Sequence, residues 1–185
     1  MKHKKILYYL GNTLIGLSLL GFIFLFSPIV WIYLFPTQIK PLQEMSGFSV
    51  TIPKIHAQAQ IVEQVDPWNQ SVYDAALEHG VAQAKGTSYP GQAGTIFLFA
   101  HSSEAPWELT ETNIPFLRLG ELQNNDQIYL VRNKKTYIYK VYMKKEIWPT
   151  ETKYLTNISK TQLILQTCTP IGTSLKRLLV FALPV

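Results

Sequence analysis

The chain contains one cysteine, Cys168, within the run Leu163-Ile164-Leu165-Gln166-Thr167-Cys168-Thr169-Pro170, and Arg177 follows nine positions later. Of the four histidines, His101 closes the apolar run Ile96 to Ala100 at what reads as a strand end. A thiol that attacks a carbonyl needs a partner for its proton, and the oxyanion it creates needs a fixed cation. A free thiol, with a pKa near 8.5, is only partly ionised at neutral pH, and a nearby cation shifts it toward thiolate. Histidine gives and takes protons in the same range, and arginine stays charged and offers two donors at once. Each residue also has a plain structural reading. A lone cysteine serves as a small core hydrophobe, a strand-end histidine is capped by solvent, and an arginine terminates a strand. His3 belongs to the N-terminal flank, while His56 and His79 lie in or near other elements without a matching motif, which leaves His101 as the best partner for the thiol.

The elements that must position these groups read as β. Short runs alternate apolar and polar residues between Gly, Pro, Asn and Asp at 48–52, 55–62, 95–100, 127–132, 136–147, 162–167 and 175–183. That spacing, with β-branched and aromatic enrichment, predicts an all-β barrel or sandwich with short helices. Asn133-Lys134-Lys135 reads as a hairpin turn, after which Tyr137, Tyr139 and Val141 share one face. Helical signals are weaker: a short helix capped by Ser71 and closed by Gly80, and a turn over 111–119 interrupted by Pro115.

A chain of 185 residues allows about one domain plus an anchor. Residues 6–35 carry no charged side chain and exceed the ~20 residues a helix needs to cross the hydrocarbon layer. Lys2, Lys4 and Lys5 precede the span and only Lys40 follows it before Glu44, so the positive-inside bias places the N-terminus in the cytoplasm. Pro28 either kinks the span or marks its outer end. A cleaved secretory signal would have a shorter apolar core, and its cleavage mimic here, Ala57-Gln58-Ala59, falls inside a predicted strand. The expected organisation is a cytoplasmic N-terminus at 1–5, an anchor at 6–35, a linker at 36–46 stiffened by Pro36 and Pro41, and an extracellular β-domain at 47–185. A formal charge of +5 is spread over scattered lysines with no compact basic run, which speaks against nucleic acid as a partner. A single cysteine also excludes an internal disulfide framework.

Several ordered landmarks resemble the sortase family. They are Ile52-Pro53-Lys54-Ile55; Ala76-Leu77 with Gly80-Val81; Gly86-Thr87-Ser88-Tyr89-Pro90-Gly91 with Gly94; Phe99-Ala100-His101-Ser102-Ser103; Phe116 with Leu119 and Asp126; and Leu165-Gln166-Thr167-Cys168-Thr169-Pro170 with Gly172-Thr173 and Arg177-Leu178. The resemblance implies a closed eight-stranded β-barrel and a transpeptidase that cuts an LPxTG-like sorting motif of secreted proteins. On it, Cys168 is the nucleophile, His101 the general acid and base, and Arg177 the oxyanion holder, with Thr167, Thr169 and Ala100 as substrate contacts. It calls for no cofactor and no metal. The implied partners are secreted proteins bearing a C-terminal sorting signal, an amine on the cell wall or another surface protein, and the membrane that anchors the chain. The short connection between Cys168 and Arg177 is similar to class D or E rather than the housekeeping class. A hydrolytic peptidase using the same site, or an anchored β-domain that binds peptides without chemistry, are the alternatives.

Three departures from the family pattern stand out. Ile164-Leu165 replaces Thr-Leu, Asn125-Asp126 replaces a Gly-Asp turn, and Ala100 stands where Gly often precedes the histidine. Asp66-Pro67-Trp68 reads as a loop turn with Trp68 packed on the barrel, with a substrate gate as the alternative. Glu104, Glu108 and Glu111 beside Trp107 read as a solvated loop rather than a calcium site, since their spacing is not that of a known loop for the ion. Asn157-Ile158-Ser159 fits a glycosylation pattern that is frequent by chance.

Overall fold

The computed structural model describes residues 2–36, 38–102 and 114–185, which fall into an N-terminal helical unit and a β unit. Helix α1 (Lys2–Leu34) has 33 residues, and its apolar span covers 4–34. At about 1.5 Å per residue it reaches about 50 Å, more than a hydrocarbon layer of about 30 Å requires. Pro28 lies inside the helix and does not end it.

The β unit closes on itself. Its strands are β1 (Ser49–Ile52), β2 (Ala57–Val65), β3 (Val81–Ala84), β4 (Thr95–Phe99), β5 (Gln127–Arg132), β6 (Lys135–Ile147), β7 (Gln162–Thr169) and β8 (Lys176–Pro184), in the closed order β1-β2-β3-β4-β7-β8-β6-β5. Neighbours are antiparallel except β2–β3 and β4–β7, which are parallel. Parallel pairing needs a long crossover. The β2–β3 crossover carries helix α2 (Gln70–Leu77) and the connection before β7 carries α3 (Lys153–Thr156).

Strand alternation sorts the apolar side chains into two layers. Ile96, Leu98, Leu163, Leu165, Val180 and Ala182 fill the barrel interior with Val50, Ile128, Leu130, Tyr139 and Val141. Phe97, Phe99, Ile164, Leu179 and Phe181 face outward on the same strands and are covered by Tyr73, Ala76 and Leu77 of α2 and by Tyr154 and Leu155 of α3. β4, β7 and β8 are thus buried on both faces, which accounts for their near-continuous apolar runs.

The β5–β6 hairpin turns at Asn133 and Lys134, with φ of 53° and 61°, as a two-residue turn of the primed type requires, and Lys135 already belongs to β6. Tyr139 and Val141 lie in the interior with Tyr137 packed against them, so the expected shared face holds. The cap of α2 differs from the expectation at Ser71. Asn69 caps the helix, its side-chain oxygen accepting from the Val72 amide at 3.4 Å, and the Ser71 hydroxyl donates to that same oxygen at 2.9 Å. Of the turn expected at 111–119, the described part holds Pro115 and leads into a single 3-10 turn at Leu119–Glu121. Asn125-Asp126 does serve as a turn: Asn125 has φ 74°, and the Asp126 side chain accepts from the Gln123 amide at 2.7 Å. Lys40 of the linker is clamped to β2. The Gln58 amide group accepts from its N–H and donates to its carbonyl, both at 3.0 Å.

Candidate active site

Cys168 and Arg177 are directly opposite each other in the antiparallel β7–β8 ladder. Opposed residues project to the same face of a sheet. Cys168 follows Ile164 and Gln166 by the two-residue period of β7, and Arg177 precedes Leu179 and Phe181 on β8, so both belong to the outward layer. The parallel β4–β7 register pairs Phe99 with Gln166, and the Ala100 amide continues the ladder by donating to the Gln166 carbonyl at 3.1 Å. Two places past Phe99 and two past Gln166 are His101 and Cys168. The paired strand ends at Phe99, and the same two-residue step carried past it would set His101 level with Cys168. All three side chains are half-buried.

The β7–β8 connection fixes the guanidinium. One Arg177 Nη1 group donates to the carbonyl of Ser174 at 2.9 Å and of Lys176 at 3.3 Å, and the loop is tightened by the Thr173 hydroxyl donating to the Pro170 carbonyl at 2.8 Å. A guanidinium has five N–H donors, so two such bonds hold it while donors remain for a ligand.

Beside these residues lies a groove of about 450 Å³. Phe97, Phe99, Gln166 and Arg177 form its floor; Trp68, Tyr73 and Asp74 line the α2 side, and Glu151, Tyr154 and Leu155 the α3 side. Tyr73 stacks face to face on Phe99, with centroids 4.8 Å apart and planes at 7°. Burial first, and then the charge of Cys168, push its phenol up to about 12, while Arg177 acts in the opposite sense. On the far wall the Glu151 carboxylate accepts from the Trp148 amide at 3.2 Å, and this bond, before Lys153 beside it, holds its pKa below the usual value.

The three residues expected to contact substrate separate by face. Thr167 and Ala100 are buried at 4% and 3% exposure, and the Thr167 hydroxyl donates to the Ala100 carbonyl at 2.9 Å. They turn away from the groove, and their visible work is to tie β4 to β7 just behind the reactive positions; the period-2 alternation that puts Cys168 outside puts Thr167 inside. Thr169 is half-buried at the end of β7, before a cis peptide to Pro170. Trp68 is not packed on the barrel: 65% of it is exposed at the groove mouth, where Asp66 holds the turn by accepting from the Trp68 amide at 3.0 Å. The sequence gives no signal that Tyr73 lines the groove, because a tyrosine in a short amphipathic helix looks like core. His56 and His79 line a separate cavity with residues 38–40 of the linker. Glu104, Trp107, Glu108 and Glu111 lie outside the described residues.

Comparison with known proteins gives one family. The sortase domain model matches residues 50–185. Sortase D of Bacillus subtilis (strain 168) is 30% identical over 146 residues, which are 77% of this chain and 65% of that relative's length, so the chain matches somewhat under two thirds of it. Among solved structures, sortase A from Corynebacterium diphtheriae superimposes with a TM-score of 0.62 at 30% identity, over 76% of this chain and 61% of that one. Sortase C of Clostridium perfringens, solved with the C-terminal cell wall sorting motif, gives a TM-score of 0.60 at 28% identity, over 74% and 69%. The two solved structures share the fold just described.

Proposed function

The chain belongs to the sortase family, and on that premise we propose that it is a membrane-anchored cysteine transpeptidase of the class D-like kind, with Cys168, His101 and Arg177 as its catalytic groups. The observation that carries the assignment is the ladder geometry. Cys168 faces Arg177 across β7–β8, the Ala100 amide just before His101 donates to the Gln166 carbonyl, and Gln166 and Arg177 both line a groove of about 450 Å³.

In this reading the substrate is a secreted protein with an LPxTG-like motif near its C-terminus. The Cys168 thiolate attacks the carbonyl carbon of the motif's threonine, and the carbonyl electron pair moves onto oxygen, where Arg177 donates to it. Collapse of that intermediate breaks the C–N bond, and His101 gives its proton to the departing amine. A thioester to Cys168 remains. An amine of the cell surface then attacks it, His101 takes the proton back, and the thiolate is restored as the new amide forms. Water in place of the amine would give hydrolysis from the same intermediate.

Replacing Cys168 with Ala removes only a half-buried sulfur and is expected to abolish both cleavage and transfer, with an unchanged melting temperature. The measurement is product analysis by mass spectrometry on a motif peptide, with and without an added amine. Cleavage by Cys168→Ala at the parent rate would end the assignment.

A further inference from the structure

We propose that Tyr73 is a further catalytic residue, whose hydroxyl donates a hydrogen bond to the sulfur of Cys168 in its thiolate form. The proposal rests on the nucleophile reading of Cys168 given above and adds a residue from a different part of the chain.

The argument begins with where α2 is held. Its Ala76 and Leu77 are buried in the outer layer, and Tyr73, one turn earlier on the same face, is clamped ring to ring on Phe99. Phe99 is the residue opposite Gln166, and Cys168 is the next side chain of β7 on that face. Two residues of strand separate neighbours on one face by about 7 Å. A phenol ring stacked on Phe99 therefore lies about one strand step from the place of Cys168 on that face. Arg177, opposite Cys168, lines the same groove as Tyr73.

The electrostatics agree with that placement. Cys168 and Arg177 both act on the phenol, in opposite senses, as two groups of opposite charge at close range would. With a pKa of about 12, Tyr73 stays protonated wherever the thiol titrates, so it is a donor at every working pH. A thiolate in a half-buried site loses part of its hydration, and the loss is made good only by fixed donors. His101 must change its protonation state during the reaction and Arg177 is assigned to the oxyanion. The Tyr73 hydroxyl does neither, and can stay on the sulfur from the resting thiolate until the thioester forms, and again when the amine displaces it.

The test uses the full chain in detergent and exploits its single thiol. The rate of Cys168 alkylation by iodoacetamide is followed by mass spectrometry as a function of pH for the parent, Tyr73→Phe and Tyr73→Leu. Tyr73→Phe keeps the stack on Phe99 and removes only the hydroxyl. Its melting temperature should match the parent, its alkylation midpoint should rise by about one pH unit, and its kcat on a motif peptide should fall about tenfold with KM little changed, the size of one hydrogen bond to a charged group. Tyr73→Leu should lose the stack as well and melt lower. A merely structural role would be restored by Phe, so superimposable alkylation profiles for Tyr73→Phe and the parent would overturn the inference. That outcome is distinct from failure of the nucleophile reading, which would appear as activity in Cys168→Ala.

Discussion

At the scale of single residues, the site depends on how much an arginine does that a charge alone does not. Arg177 is held by carbonyls of Ser174 and Lys176 and lies opposite Cys168. A lysine there would keep the charge but lose the rigid fork and the tie to the β7–β8 connection. Arg177→Lys should therefore leave the melting temperature within about a degree and lower kcat by roughly a hundredfold, as removal of an oxyanion donor does. Steady-state cleavage of a motif peptide measures it, and a kcat within twofold of the parent would remove Arg177 from the chemistry. The three candidates stand out in the sequence because each is rare in its setting: one cysteine, one histidine closing an apolar run, one arginine nine positions after the cysteine. Thr167 and Ala100 were not legible as bracing residues. Chemical proximity to the thiol along the chain says nothing of face, and one step along a strand reverses it.

At the scale of elements, seven of the eight strands are legible as runs rich in β-branched and aromatic residues, and one is not. β6 and β8 are long and patterned, and both were read close to their observed ends. β3 was not read as a strand. Val81-Ala82-Gln83-Ala84 is four residues, rich in alanine, buried on both faces and separated from α2 by only three residues, so it has neither period nor β-branched enrichment to announce it. Its place is set by pairing with β2 and β4. The cap of α2 moved from Ser71 to Asn69 for a related reason: both residue types cap, and the tertiary start of the helix decides between them. In the segment before β5, local charge does the fastening. Arg118 grips Glu121 with two bonds of 2.9 and 2.8 Å across the 3-10 turn, and the first effect of that grip is to hold the Glu121 carboxyl below its usual range. A carboxyl lowered on folding contributes stability above the unfolded pKa and loses it as pH falls through the folded one. Glu121→Gln should thus be less stable than the parent at pH 7 by less than about 1 kcal/mol, since the pair is partly exposed, and the two should converge in strong acid, once the lowered carboxyl is protonated. Urea unfolding under the two conditions checks this, and a difference that does not shrink with acid would assign it to packing.

At the scale of the whole molecule, the apolar helix and the candidate site fall in separate stretches of chain, and one atom can report on the roles proposed for both. Helix α1 is apolar over a length sufficient to cross a bilayer, and among the described residues it is the one such helix. The lysines that flank it are unevenly placed, with Lys2, Lys4 and Lys5 before the span and Lys40 as the first after it. Moving lysines across a bilayer is costly, so the proposed orientation keeps the crowded flank on the cytoplasmic side and carries the chain after residue 35 outward. The proposed sorting activity requires access to proteins that have already crossed the membrane, and the proposed orientation would give the groove that access. Because Cys168 is the chain's only thiol, its side of the membrane can be read without engineering a reporter. A membrane-impermeant maleimide added to intact cells should label the parent and not Cys168→Ala, with no further labelling after permeabilisation. The protein should sediment with membranes and resist extraction at high salt, and removal of residues 1–36 should release a barrel with the parent's melting temperature. Labelling that required permeabilisation would reverse the orientation and leave the groove on the side where secreted substrates are never found.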